Sequence, residues 1–251
     1  MKRAVLLFFI VLNSVFINAQ DASQYFNLGN EFYQKTEYDS AFYYYQRILE
    51  QGKVSPALYY NLGNTYYKKG LLGEAILYYE KASLLAPDDP EINQNLEIAR
   101  ARTVDKIDPL PQMFYKRWIS DLKNLFAPDT WSIIAVALLW LFFGSLAVYL
   151  LSRQTGMRKS FFALAIVFLI FFITSAVVAY DRYENLTGGN SAIIFTQSVY
   201  VKSSPEEKST NLFMLHEGTK VEVMDELSNW RKIRIANGNI GWIKEDDLKV
   251  I

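Results

Sequence analysis

The tetrapeptide Asn27-Leu28-Gly29-Asn30 recurs as Asn61-Leu62-Gly63-Asn64, 34 residues further along a chain of 251 residues. The same offset joins further aromatic and small residues: Tyr25 with Tyr59, Phe32 with Tyr66, Ala41 with Ala75, and Tyr45 with Tyr79. A repeat of this length indicates stacked helical hairpins, because small residues at fixed positions let the two helices of each hairpin approach closely. The sequence therefore predicts two hairpins, over about residues 22–55 and 56–89.

The second hairpin ends at Pro87, and its pattern resembles the tetratricopeptide repeat family. The first departs from that pattern, since Thr36 stands where Gly70 can end a helix, and Lys53 replaces Pro87. Residues 90–102 are expected to form a capping helix that completes an all-α solenoid over residues 21–104. Two repeats and a cap are fewer than the roughly three that such arrays need. The unit is thus expected to rest on a partner, a second copy or the membrane.

Repeat proteins of this kind bind peptides in a groove lined by the first helix of each hairpin. The resemblance places six residues on that groove, with Asn27 and Asn61 nearby: Phe26, Asn30, Tyr33, Tyr60, Asn64 and Tyr67. Asparagine amides can bind a peptide backbone or a carboxylate, and tyrosines offer amphipathic contact area. The asparagines also belong to the general repeat pattern, so a structural role stays open. Some relatives clamp a carboxylate with lysines, but Phe26 and Tyr60 stand at the expected lysine positions.

Residues 131–151 and 161–180 contain no charged residue, and each stretch is about long enough to cross the hydrocarbon core of a bilayer. They are predicted to be two transmembrane helices. The intervening loop, 152–160, carries Arg153, Arg158 and Lys159 and no acid. By the positive-inside rule this loop is cytoplasmic. Both flanking regions are then expected on the other side of the membrane.

The N-terminus supports the same topology. Lys2 and Arg3 precede an apolar run, which is the pattern of a signal peptide over residues 1–19. An uncleaved anchor helix is the alternative. Either interpretation places residue 21 and those after it outside the cytoplasm.

Residues 105–130 are interpreted as a linker and a helix on the membrane surface. Phe114, Trp118 and Leu122 recur there at helical spacing among charged residues, as in helices that lie in the bilayer interface. A helix that packs on a protein domain is the alternative.

After a linker over 181–190, residues 191–251 show short strand-like runs separated by turns, which predicts a small all-β domain. Gly218, Trp230 and the pair Gly241-Trp242 resemble positions of the bacterial SH3-like domain. The resemblance implies a barrel that binds cell-wall peptides or protein segments, or that is purely structural. Three aromatic residues are candidates for its binding surface: Tyr200, Trp230 and Trp242. Core positions are the alternative for the tryptophans, and His216 is predicted to be a solvated turn residue.

Composition excludes several classes of function. The 26 basic residues balance 26 acidic ones, so the chain lacks the basic excess that nucleic-acid binding requires. It has no cysteine and one histidine, which removes thiolate metal centres and thiol catalysis. The predicted spans hold no ionisable residue for transport or intramembrane catalysis. We therefore expect no catalytic residue, metal ligand or cofactor.

The whole order of a signal peptide, repeats, a membrane hairpin and an SH3-like barrel resembles the BatE-type proteins of the Bacteroides aerotolerance operon. The resemblance implies a non-enzymatic scaffold in the bacterial inner membrane, with its repeat and SH3-like domains in the periplasm. Its implied partners are the lipid bilayer and envelope proteins, including membrane proteins with von Willebrand A domains encoded in the same operon. The alternative is an envelope module whose barrel binds peptidoglycan while its repeats recruit a cell-wall enzyme.

Overall fold

A computed structural model describes residues 21–110, 113–126, 128–187 and 190–251, and the predicted signal peptide lies outside them. The chain divides into two compact units. The first combines the helical N-terminal region, including Pro90–Pro109, with the C-terminal residues Ser191–Ile251. The second combines Leu84–Asp89 with Leu110–Asn190. The repeats and the C-terminal domain, which are far apart in sequence, thus belong to one body.

Five helices follow one another at the N-terminal end: α1 over 21–34, α2 over Tyr38–Glu50, α3 over Pro56–Lys68, α4 over Leu72–Leu85 and α5 over Pro90–Arg100. Each buries side chains at helical spacing, as α2 does with Ala41, Tyr45 and Ile48. The side chain of Ser55 caps α3 by accepting a hydrogen bond from the N–H of Leu58 at 3.1 Å. The predicted helical hairpins are therefore present.

The two hairpins share their internal geometry. A Cβ on Gly63 would lie 2.6 Å from ring carbon Cδ1 of Tyr79, and Gly29 packs in the same way on Tyr45. The ring pairs Phe32–Tyr44 and Tyr66–Tyr78 both stack with centroids 5.3 Å apart and planes 11° apart. The first hairpin has the repeat geometry even though its sequence departs from the family pattern.

Thr36 and Gly70 occupy equivalent turns with the same left-handed backbone. The φ angle is +62° at Thr36 and +79° at Gly70. Glycine adopts this conformation freely, whereas a β-branched residue does so against steric repulsion from its Cβ. The first repeat therefore carries local backbone strain that the second avoids.

Replacing Thr36 with Gly should stabilise the protein by about 0.5–1 kcal/mol, because relief of the left-handed strain exceeds the entropy that glycine adds to the unfolded chain. The reciprocal change, Gly70→Thr, should destabilise it by about 1 kcal/mol. Thermal unfolding of the two variants in detergent, compared with the wild type, measures both effects. A lower melting temperature for Thr36→Gly would contradict the strain argument.

The C-terminal domain is an antiparallel sheet of seven strands: β1 over Ser191–Ile194, β2 over Ser198–Lys202, β3 over Asn211–His216, β4 over Lys220–Leu227, β5 over Trp230–Arg234, β6 over Ile240–Lys244 and β7 over Leu248–Val250. Their order is β3-β2-β6-β5-β4-β1-β7, with a 3₁₀ turn at Glu245–Asp247 before β7. Strands β3 and β7 stand at the two ends, so closure of the sheet into a barrel stays a prediction.

The core of the sheet is aliphatic and includes Val201, Leu215, Ile233 and Ile243, all almost fully buried. The β5–β6 turn differs in detail from the expectation for Asn237-Gly238. The N–H of Ile235 donates to the carbonyl of Asn239 at 3.0 Å, and of the pair only Gly238 has a positive φ, of +91°. The turn is therefore a three-residue loop with glycine in the left-handed position.

The second unit contains α6 over Phe114–Asn124, α7 over Pro128–Leu151 and α8 over Thr155–Thr187. Within α7 and α8, the segments Asp129–Leu151 and Thr155–Glu184 are long and apolar enough to cross a membrane. The hydroxyl of Ser175 on α8 donates to the carbonyl of Trp131 on α7 at 3.0 Å, which ties the two helices together. Helix α8 begins inside the stretch expected to be a loop, and its 33 residues extend roughly 50 Å, more than the hydrocarbon core requires.

Candidate functional site

The helices of the repeat region enclose a cavity of about 310 Å³. It is lined by Tyr33, Tyr60, Asn64, Tyr67, Lys68, Tyr79, Asn95 and Ile98. The structure thus brings four of the six predicted groove residues together, and α5 supplies Asn95 and Ile98, which the sequence analysis did not single out. Burial raises the pKa of Tyr33 and of Tyr79, so these hydroxyls stay protonated at neutral pH. We call this cavity the tyrosine groove.

Each conserved-position asparagine of the groove has one atom committed inside the protein. Oδ1 of Asn64 accepts from the hydroxyl of Tyr79 at 2.7 Å and from Nδ2 of Asn95 at 3.0 Å. One repeat earlier, Oδ1 of Asn30 accepts from Tyr45 and from Nδ2 of Asn61 at 2.7 and 2.8 Å. The carbonyl ends of both side chains therefore join neighbouring repeats, which is the structural role that the sequence analysis left open.

The other two predicted groove positions serve the packing of the first repeat. Phe26 is half-buried against the core, with its ring centroid 6.0 Å from that of Tyr45. Asn27 is exposed at the start of the array. The ligand-accessible part of the groove accordingly lies toward the second repeat and α5.

The sheet domain completes the hydrophobic core of the second repeat. Ile193 of β1 is fully buried in one cluster with Ala75, Ile76 and Leu96 of the helices, and Phe195 and Ile251 pack against the same cluster. We expected the short array to rest on a partner, a second copy or the membrane. Instead it rests on the C-terminal domain of its own chain, because a period-based reading of the sequence considers only neighbouring repeats.

A buried carboxylate fixes this contact. Glu80 of α4 is 4% exposed, and its two oxygens accept from Arg100 Nη2 at 2.5 Å and from Lys220 Nζ at 2.8 Å. Burial opposes ionisation, but the charges of Lys220 and Arg100 outweigh it and hold the pKa of Glu80 below its usual value. The carboxylate therefore joins two helices and the sheet domain as an ion pair network.

The β3–β4 turn caps helix α4. Gly70 and Leu71, which precede α4, have no side-chain oxygen, and the carboxylate of Glu217 instead accepts from the N–H of Gly73 at 2.8 Å. The next residue, Gly218, has a φ of +85°, and a Cβ there would lie 2.9 Å from Thr103 and 3.0 Å from Ile76. Glycine at 218 thus permits both the turn and its close approach to the helices.

Asp105, which follows α5, holds the same turn. It accepts from the hydroxyl of Thr219 and from the backbone N–H of His216, both at 2.7 Å, and its Oδ1 lies 2.7 Å from Nδ1 of the His216 ring. Burial opposes ionisation of Asp105, but these hydrogen bonds outweigh it and lower its pKa. The expectation that His216 is a solvated turn residue is wrong, since its side chain is 24% exposed and bound to Asp105.

The three aromatic candidates of the sheet domain have different environments. Tyr200 is exposed, Trp230 is buried at 8%, and Trp242 is half-buried with the ammonium of Lys232 5.9 Å from its ring centroid. Lys232 and Trp242 are paired neighbours on β5 and β6. The solvent-facing aromatic surface of the sheet is therefore formed by Tyr200 and Trp242.

Two segments match known families. Residues 56–89 match the tetratricopeptide repeat, and residues 197–249 match the bacterial SH3 domain. Comparison of the chain with curated proteins found no match. The chain thus combines a module that is typical of protein–protein interaction with one that is typical of cell-wall binding.

The contact between α4 and the β3–β4 turn can be tested by a disulfide, because the natural chain has no cysteine. A Cβ at position 73 would lie 3.1 Å from Cγ of Glu217, within reach of a bridge. The double variant Gly73→Cys/Glu217→Cys, oxidised after purification, should form an intramolecular disulfide that closes a long loop and increases mobility on a non-reducing gel. Each single-cysteine variant is the control, and an unchanged mobility of the double variant would contradict the packing.

Proposed function

We propose that the protein is a non-enzymatic scaffold of the bacterial envelope, anchored in the inner membrane by α7 and α8, which docks another envelope protein in its tyrosine groove. The observation that carries the proposal is the groove itself. It combines protonated tyrosine hydroxyls, an asparagine amide and an accessible cavity on a repeat fold that is typical of protein–protein interaction.

The membrane part of the proposal rests on chain connectivity as well as on hydropathy. Residues before Pro109 and after Ser191 belong to one compact unit, so the intervening segment has to leave that unit and return to it. Two spans satisfy this requirement, whereas one span would separate the halves of the unit across the bilayer. The basic residues Arg153 and Arg158 at the α7–α8 connection support a cytoplasmic position for it.

The envelope topology predicts the outcome of a reporter experiment. A periplasm-active reporter fused after Asn190 should be active, because two spans return the chain to the side on which residue 21 emerges. The same reporter inserted at Thr155 should be inactive, and it serves as the internal control. The opposite pattern of activities would place the repeat and sheet domains in the cytoplasm.

Docking in the groove predicts that the triple variant Tyr33→Ala/Tyr60→Ala/Tyr67→Ala loses partners that co-purify with the wild type from native membranes. Aromatic residues at the centre of an interface often contribute about 2 kcal/mol or more each. Tyr43→Ala is a matched control, because Tyr43 is exposed on α2 and does not line the groove. A folded, membrane-inserted triple variant that retains every partner would exclude the groove as the docking site.

The match to the bacterial SH3 domain favours a second candidate function, a peptidoglycan-binding module that recruits a cell-wall enzyme through the repeats. Tyr200 and Trp242 are its accessible aromatic residues. Purified sacculi separate the candidates: a peptidoglycan module sediments with them and is released by Trp242→Ala, whereas the scaffold alone stays in the supernatant. An association with aerotolerance belongs to the scaffold proposal and is supported by the resemblance in domain order.

A further inference from the structure

The hydrogen-bonding groups that the tyrosine groove leaves open are mainly donors. Oδ1 of Asn64 already accepts two hydrogen bonds, so its Nδ2 group is the part that remains to bind a ligand. Nδ2 of Asn95 uses its two hydrogens on Asn64 and on the hydroxyl of Tyr60, at 3.0 and 2.9 Å. Tyr60 accepts that bond and keeps its own proton to donate. A ligand that satisfies this surface has to present acceptors.

Two cations border the same surface. Lys68 is exposed and lines the groove, and the guanidinium of Arg102 lies 4.7 Å from the ring centroid of Tyr67, in a cation–π contact. They are 34 residues apart and so occupy the same position of successive repeats. Among the residues that the structure describes, neither forms an ion pair with an acid. Both charges are available to a ligand.

Neighbouring acids on these helices are directed elsewhere. Glu31 pairs with Lys35 on α1, and Glu97 pairs with Arg100 on α5. No acidic residue is among the described residues that line the groove. The groove is therefore electropositive within a chain of zero net charge, which favours an anionic ligand.

We propose that the tyrosine groove selects an extended acidic segment of a partner protein. The carboxylates of that segment pair with Lys68 and Arg102, its backbone carbonyls accept from Asn64 and Tyr60, and the tyrosine rings provide contact area. This inference rests on the proposed docking function and adds the chemistry of the partner. The cations lie away from Phe26 and Tyr60, the positions at which some repeat proteins carry carboxylate-clamping lysines.

A selection experiment tests the charge preference directly. A display library of short random peptides is panned against the full chain in detergent, against the triple tyrosine variant, and against the double variant Lys68→Gln/Arg102→Gln. We expect the wild type to enrich peptides rich in Asp and Glu, and both variants to lose that enrichment. Groove-dependent peptides without acidic enrichment would overturn this inference and leave the docking function standing. Peptides that the triple tyrosine variant retains equally would instead count against the groove as a docking site.

Affinities of one enriched peptide then separate the individual contributions. The double variant Lys68→Gln/Arg102→Gln should weaken binding about tenfold, in line with the worth of two exposed charges. Asn64→Asp keeps the acceptor for Tyr79 and Asn95 but replaces the free donor with a negative charge, so it should weaken binding at least about tenfold. Lys208→Gln removes an exposed charge on the sheet domain and should have no effect. Unchanged affinity in both groove variants, with unfolding temperatures equal to the wild type, would refute the acidic partner.

Discussion

A helical repeat buries its apolar face only against a neighbour, and the last repeat of this chain finds that neighbour in the sheet domain. Ile193 fills the apolar part of the contact, while Glu80 is surrounded by Arg100 and Lys220 in its polar part. An isolated buried carboxylate would be costly, so the contact is stable only when both cations are in place. The orientation of α4, and with it the wall of the tyrosine groove, depends on this arrangement.

The repeat and the position of the groove could be predicted because they depend on local periodicity. A spacing of 34 residues fixes which side chains meet, and the Gly63–Tyr79 contact reproduces the Gly29–Tyr45 contact. The same periodicity placed Tyr33, Tyr60, Asn64 and Tyr67 on one surface. It did not single out Asn95 or Arg102, because α5 replaces the repeat glycine with Glu97 and was interpreted only as a cap. Their offsets from Asn61 and Lys68 were the available signal.

The contact between the repeats and the sheet could not be predicted, since its residues are separated by more than a hundred positions and share no periodic pattern. Glu217 caps α4 from 144 residues away, and Asp105 reaches His216 across 111. One indirect signal existed, namely the absence of a capping side chain before α4, in contrast to Ser55 before α3. An uncapped helix start in a short array indicates a donor-satisfying group elsewhere in the chain.

The discontinuous unit also constrains how the protein is made. Residues up to Pro109 are synthesised before the membrane hairpin, and the sheet that completes their core is synthesised after it. Until α8 has crossed and Ser191–Ile251 has followed, Glu80 has Arg100 but lacks Lys220, and Gly73 lacks its cap. Correct insertion of both spans is therefore a precondition for a fully packed second repeat. A groove built on that repeat becomes competent to bind only in a chain whose membrane hairpin is in place, which couples docking to anchoring without any moving part.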